Sequence, residues 1–563
     1  MRLRELSPLA FRVLVWSFAA ALLPAQVAYD RILNADREPQ NWLTYSGGYS
    51  GMRYSMLTQL EHQNVKNLQL KWVWRPKYLE KMEATPIVVD GVLYTVQNSE
   101  VVAIDAATGR IFWTFHYTVP PESNQYLLVC KGLAISGDSL FWATYDGHLI
   151  SIDARTGIAN WNKTLVDWHK GYQLNVAPLV VKGRVILGPA TNEEGANCWV
   201  AAYDAKTGEE VWRFYTAPMS AGEPIAKTWA GESWKHGGSP IWVTGSYDPE
   251  TNLTFWGTGN PNAGWNGDNR AGDDLYSDSV VALDADTGKL KWHFQFTPHD
   301  EFDWDSVQVP VLADIAWQGK PRKVMLWANR NGFFYVLDRA TGQFLLGKAF
   351  VKQNWNIGLD EAGRPIRSPA LNPKPLGTPY VEPGTQGGTN WYSPSFSPRT
   401  GLFYVSTWDN YGGPSGKGPI QEWKEGGKYS GNAARRPAGN TAAGGRGAAG
   451  RGGRGRGSAI AYRTEEEGYG AVRAIDPQTG NKKWDFKMVD YTESGILTTA
   501  SDLLFAGGKE GNFLALDARD GALLWKTNLG GTIASGPITF EVNGRQYVAV
   551  CADNALYAFG LPE

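Results

Sequence analysis

The block Thr297-Pro-His-Asp300-Glu-Phe-Asp303-Trp-Asp305 places two carboxylates, Asp303 and Asp305, two residues apart. In an extended segment, side chains at that spacing face the same way, so the pair would present negative oxygens to one point. Gly259-Asn260-Pro261 offers an amide, and Asn192-Glu193-Glu194-Gly195 a further carboxylate from Glu193 or Glu194. Carboxylate and amide oxygens are hard ligands and suit a hard cation. Thiol chemistry is absent by comparison. Cys130, Cys198 and Cys551 are too scattered for a zinc cluster or a disulfide framework, and no C-x-x-C-H motif attaches a haem. A Gly-Asn-Pro can also be a plain turn and an Asp a loop cap. The residues acquire meaning only if the fold brings them together.

A repeat supplies the elements that would do so. Small or aliphatic residue, apolar residue, Asp, two residues, Thr, Gly, three residues, Trp recurs at Asp105 to Trp113, Asp153 to Trp161, Asp204 to Trp212, Asp284 to Trp292 and Asp476 to Trp484. Asp517 to Trp525 is a copy with Asp520 for Thr, and Asp338 to Leu346 one with Leu in the Trp place. Alternating apolar residues before the Asp predict a half-buried strand. Asp and Thr side chains hold the turn backbone, and Gly takes the φ > 0 corner that returns the chain as an antiparallel partner. A lone hairpin is marginal in water, so the copies must bury faces on one another, each Trp a peg between neighbouring sheets. Seven copies plus a unit shared between the two ends predict an all-β, eight-bladed β-propeller of four-stranded antiparallel blades over residues 29–563. Leu70 to Trp74 would pair with Ala555 to Phe559 to close the ring and remove its edges. An open solenoid is the rival arrangement.

The 563 residues include 54 Lys and Arg against 56 Asp and Glu, a net charge of −2 that excludes a chain built to neutralise nucleic acid. The 65 glycines and 25 tryptophans fit many tight turns and one recurring packing task. Residues 1–28 have the layout of a secretory signal: Arg2 and Arg4, an apolar run from Val13 to Leu23, then Pro-Ala-Gln-Val-Ala. This predicts export to the periplasm and a mature protein without a membrane span. Residues 412–458 are dominated by Gly, Ala and Arg and are expected to be a low-complexity insertion within the propeller, too poor in apolar surface to fold.

The Asp-x-x-Thr-Gly-x-x-x-Trp hairpins, with Gly259-Asn260-Pro261, Pro298-His-Asp300-Glu-Phe-Asp303-Trp-Asp305 and Asn329-Arg330-Asn331-Gly332, resemble the quinoprotein alcohol dehydrogenases, which use pyrroloquinoline quinone (PQQ). The resemblance implies Glu193 and Asn260 as metal ligands and Asp303 as the metal-adjacent base that takes the alcohol proton. It implies Arg330 as the catalytic cation at the quinone carbonyls and Trp242 as the ring stacked under the quinone. Glu83, Lys131 and Asn390 fall where the family places further cofactor contacts. The adjacent cysteine pair common in the family is absent, with Gln125-Tyr126 in its place, so Tyr126 is the candidate lid. An acidic residue two places after the base, here Asp305, resembles the lanthanide-dependent branch. A trivalent lanthanide is therefore expected as the metal, with calcium as the second choice. The implied reaction is oxidation of a primary alcohol to an aldehyde, with electrons leaving to a soluble cytochrome c. A cofactorless assembly scaffold or a ligand-binding sensor would show the same hairpins, and the oligomeric state, a homodimer included, is left open.

Overall fold

The computed structural model describes residues 27–78, 80–123, 129–371, 380–431 and 465–563. Tyr126, nearly all of the expected leader, and residues 432–458 of the expected insertion lie outside the described residues. No described helix is long and apolar enough to cross a membrane.

Among the described residues, eight antiparallel sheets of four strands follow one another around a ring, the one over residues 497–528 extended by Tyr54–Ser55 as a fifth, parallel strand. Seven are sequential, over residues 87–116, 134–164, 179–215, 246–295, 311–349, 395–487 and 497–528. The eighth combines residues 538–560 with an N-terminal strand, Gln69–Trp74. That strand pairs antiparallel with Ala555–Gly560, Leu70 opposite Phe559 and Val73 opposite Tyr557, so the chain ends close the ring as expected. Closure excludes the open solenoid. First strands of neighbouring sheets lie against one another and so line the axis; the fourth strands are the exposed outer ones, as in the half-exposed Ile111–His116.

The repeat works as its residue types require. Asp105 Oδ1 accepts from the backbone N–H groups of Ala107 at 2.9 Å and Thr108 at 3.1 Å, and Gly109 turns at φ +77°. The pegs act between sheets. The indole of Trp113 donates to the carbonyl of Ala154 at 3.0 Å, Trp161 to Ala205 at 3.3 Å, Trp212 to Ala285 at 3.1 Å and Trp484 to Ala518 at 3.3 Å, always the residue after the next sheet's turn Asp. Each ring also covers the next turn's glycine so closely that a Cβ on Gly157 would lie 2.6 Å from Trp113. Trp72, on the closing strand, docks in the same way on Ala106 at 3.0 Å. Leu346 packs on Gly480 without a polar contact.

Before the first sheet, residues 42–55 run across the inner strands. Trp42 bridges to Val88, the Tyr49 hydroxyl donates to Val180 O at 2.8 Å, and Ser50, Met52 and Arg53 carbonyls accept from Leu312, Phe396 and Thr498. Arg53 fastens this strap. Fully buried, it donates to the carbonyls of Tyr45 at 2.6 Å, Ile496 at 3.0 Å and Pro537 at 2.5 Å and lies 5.3 Å over the Trp42 ring. Burial pulls its guanidinium down to about 10, so it stays charged at neutral pH. Arg53→Ala should cost about 3 kcal/mol or more by leaving three buried carbonyls without donors. Denaturant unfolding of the purified variant checks this, and an unchanged midpoint would contradict the role.

Candidate active site

The predicted site residues share one face of the ring for a topological reason. Glu83, Lys131, Trp242, Asp303, Asp305 and Asn390 lie just before the first strands of their sheets, Ile87–Val89, Ala134–Ser136, Ser246–Asp248, Val311–Trp317 and Ser395–Ser397. Glu193, Asn260 and Arg330 lie just after second strands, Arg184–Leu187, Leu253–Gly257 and Lys320–Ala328. First and second strands are antiparallel, so the start of one and the end of the next meet at the same end of the sheet.

On one side, four predicted residues meet directly. Asn260 donates from its amide to Glu193 Oε1 at 3.2 Å and from its backbone N–H to Asp305 Oδ1 at 2.7 Å. Arg330 donates to Asp305 Oδ2 at 2.5 Å and to the carbonyl of Thr385 at 2.7 Å, and its guanidinium lies 3.9 Å from Asp303 Oδ2. The Arg330 Nε is buried with no hydrogen-bond partner among the described residues. Glycine at 264 is required here, since a Cβ would come 2.5 Å from Glu193 Oε2 and 3.2 Å from the Asn260 amide nitrogen. Glu193 and Asp303 both hold left-handed backbone, φ +66° and +65°, which side chains other than glycine rarely adopt and which collects at functional sites.

Asp303 and Asp305 do converge, on Arg330, but not by strand alternation. The segment is a loop wound on Asp300, whose carboxylate accepts from the backbone N–H groups of Phe302 at 3.0 Å and Trp304 at 2.9 Å. The extended conformation expected from their spacing is replaced by this turn. Asp300 was not among the predicted residues, although acceptors two and four residues ahead of their donors are a sequence-visible turn pattern. Of the adjacent glutamates, Glu193 meets Asn260, whereas Glu194 pairs with Lys428 at 2.9 Å.

Burial pushes the Asp303 carboxyl well above the usual range; Arg330 opposes this, while Asp305 and Glu193 add to it. A proton or a cation would relieve that excess of negative charge. Among the described residues, no group of three His, Cys, Asp or Glu side chains is placed to hold an ion by itself. As a ligand, Asn260 would present its oxygen in place of the amide nitrogen that now faces Glu193. The hard, oxygen-rich set and the crowding at Gly264 fit a hard cation.

The other side is aromatic and cationic. Lys131 forms a buried ion pair with Glu83 and lies 3.3 Å over the Trp391 ring and 5.7 Å over that of Trp242. Lys81 joins Glu83 at 3.2 Å and Glu493 at 2.8 Å. Burial lowers the Lys131 pKa, and Glu83 offsets only part of this. Burial alone would raise Glu83, but Lys131 and Lys81 together outweigh it and leave its pKa depressed. Half-buried Trp242 packs in a cluster with Trp391, Tyr392 and Trp408. Asn390 is committed locally, its Oδ1 accepting from Trp391 N–H at 2.9 Å and its amide donating to Gln386 O at 3.1 Å. Burial holds the Tyr392 hydroxyl well above its usual value, with Glu493 and Glu83 adding and Arg330 opposing. Trp391, Tyr392, Lys81 and Glu493 were not predicted; Trp391 follows Asn390 directly and Lys81 stands two residues before Glu83, but Glu493 carries no local signal. The half-exposed Trp242 ring, the cation-lined aromatic wall and the unpartnered Arg330 Nε fit a flat anionic quinone.

The family profile for the PQQ-type glucose/ethanol/alcohol dehydrogenase, beta-propeller domain, matches residues 42–348. The chain is 36% identical over 553 residues to quinoprotein alcohol dehydrogenase PedH of Pseudomonas putida, covering 93% of this chain and 88% of that relative. It belongs to the PQQ-dependent alcohol dehydrogenase family. Another member, the quinohemoprotein alcohol dehydrogenase of Comamonas testosteroni, has a solved structure that superposes with a TM-score of 0.84 at 32% identity, over 96% of this chain and 84% of that one. A europium-containing methanol dehydrogenase superposes with a TM-score of 0.83 at 29% identity, over 94% of this chain and all of that one. The profile of the outer membrane protein assembly factor BamB matches residues 468–560, a stretch without any of the four candidate ion-binding residues.

In this family member the Glu83 network should shape acid stability. Its depressed pKa means that Glu83 contributes stability above its unfolded value, about 4.3, and loses it as pH falls through the lower folded value. Glu83→Gln should be less stable than wild type at neutral pH, yet lose less stability on acidification below about pH 5. Denaturant midpoints measured across that range check this; parallel pH curves would contradict it.

Proposed function

We propose that this family member is a periplasmic PQQ-dependent dehydrogenase that oxidises primary alcohols to aldehydes, holds a trivalent lanthanide, and delivers its electrons to a soluble cytochrome c. The observation that carries the reading is the meeting of Glu193, Asn260, Asp305 and Arg330 beside the strained, buried Asp303. When bound, PQQ supplies the two-electron acceptor for the alcohol's hydride and the cation supplies Lewis acidity next to it.

The chain's own residues divide the remaining work. Asp303, poorly solvated and in a carboxylate-rich corner, takes the hydroxyl proton of the alcohol. Arg330 keeps Asp305 in place and limits the repulsion between Asp305 and Asp303. Glu193 and Asn260 would hold the cation; Trp242 and Trp391 provide apolar faces, and Lys131 and Lys81 positive charge, for an anionic ring system. Three carboxylates against one guanidinium favour a trivalent over a divalent ion, and the likeness to a europium-containing methanol dehydrogenase supports that choice. The leader-like residues 1–28 support export.

Protein reconstituted with PQQ and lanthanum should reduce an artificial dye with primary alcohols. No turnover with any alcohol, with either lanthanum or calcium, would overturn the enzymatic reading. Asp303→Asn should lower kcat by about 100-fold or more while still binding PQQ. Asp305→Ala should weaken lanthanum-supported turnover far more than calcium-supported turnover; equal losses would remove the case for a lanthanide.

A further inference from the structure

Residues 412–431 belong by composition to the expected insertion, yet they are folded onto the site. Tyr429 N–H donates to the backbone carbonyl of Glu193 at 2.5 Å, and Gly431 N–H to that of Gly264 at 3.0 Å, with a parallel bridge between Gly264 and Ser430. Asn266 donates to the carbonyl of Gly418 at 2.7 Å, Asn269 to the Tyr429 hydroxyl at 2.7 Å, and Lys417 pairs with Asp268 at 2.6 Å. The segment therefore ties the loop of Glu193, from the third sheet, to the loop that follows Asn260, from the fourth.

Within this contact the two adjacent glutamates are treated differently. Lys428 binds the Glu194 carboxylate at 2.9 Å and also reaches the carbonyl of Asn192, and Glu194 in turn accepts from the Asn192 N–H. The Trp423 indole donates to Glu194 O at 3.2 Å and stacks on His236 with centroids 4.1 Å apart. Gly195, at φ +66°, is covered so closely that a Cβ would lie 2.8 Å from Tyr429 Cδ1 and 2.9 Å from Trp423 Cδ1. The left-handed turn at Glu193 is thus flanked by a hydrogen bond from Tyr429 to its carbonyl and by a lysine on the next carboxylate.

We infer that residues 417–431 are a clamp that sets the Glu193 carboxylate for metal binding, with Lys428 as its positioning residue. Lys428 decides which of two neighbouring carboxylates faces Asn260, by neutralising Glu194 and anchoring it on the far side of the turn. Without that charge Glu194 repels Glu193, and the strained turn relaxes. The inference rests on Glu193 being a metal ligand.

The test is equilibrium dialysis of the full-length, PQQ-loaded protein against buffered Tb³⁺. Lys428→Met should bind Tb³⁺ at least tenfold more weakly than wild type. Lys428→Arg should bind as wild type, and the double variant Lys428→Met/Glu194→Gln should recover to within about threefold, because the Glu194 charge beside Glu193 is gone. Affinity of Lys428→Met equal to or tighter than wild type, or no recovery in the double variant, overturns the clamp. Should Lys428→Met fail to fold, Trp423→Phe, which keeps the stack and loses the indole hydrogen bond, takes its place: weaker Tb³⁺ binding supports the clamp, and unchanged binding overturns it. Wild-type protein that binds no Tb³⁺ brings down the metal reading itself, an outcome distinct from wild-type binding matched by the variants.

Discussion

Pairing of Gln69–Trp74 with Ala555–Gly560 joins the two ends of the chain in one sheet, and the site exists because the ring is closed. Glu193, Asn260, Asp303 and Arg330 come from loops of three different sheets whose relative positions are fixed only by their neighbours around the circle. The indole pegs transmit that constraint. Trp113, Trp161, Trp212 and Trp484 each combine a large apolar ring over a glycine with a hydrogen bond to a defined carbonyl, while Trp292 covers Gly342 by packing alone, so adjacent sheets are held in rotation as well as in distance. A carboxylate displaced by 1 Å at this site would no longer meet its partner, which is why a rigid scaffold suits this chemistry.

Inside that frame the energetics are dominated by buried charge of one sign. Arg330 is the cation that allows Asp303 and Asp305 to stand together, and its two sides are spent on Asp305 and the Thr385 carbonyl. Asp300 behind them is itself pushed upward by burial. Such a cluster is unfavourable for folding on its own, and the left-handed backbone at Glu193 and Asp303 adds to the cost. Glycines at 259 and 264 lower steric demands where Asp305 and Glu193 approach most closely. Stability is supplied elsewhere, by the aromatic interfaces and the strap around Arg53, and the site uses part of it.

The fold was legible because its signal is local and repeated: Asp, Gly and Trp at fixed spacing encode a turn, a corner and a peg within a dozen residues. Trp72 escaped that pattern because its strand stands alone, 480 residues and more from the partners that make it part of a sheet. The site was legible as residue types, and Asn260, Glu193, Asp305 and Arg330 do meet. Its geometry was less so. Asp303 and Asp305 read as strand neighbours but are turned by Asp300, whose role is a backbone contact that leaves no periodic trace. Glu493 joins the Glu83 network through Lys81, from more than 400 residues further along the chain. Residues 412–431 were hidden by composition: surrounding glycines mask Trp423, Lys428 and Tyr429, whose contacts are all long-range.

The strap of residues 42–55 makes backbone or side-chain contacts with inner strands all the way from Val88 to Thr498. It precedes every sheet it binds, yet its binding groove is complete only when residue 537 has been made. Docking of this segment, like the seam it precedes, belongs at the end of assembly, and contacts spanning so much sequence are slow to form. Until then this segment lacks the partners it has in the finished ring, which makes it the natural handle for a chaperone and the place where a truncated product would betray itself to a protease.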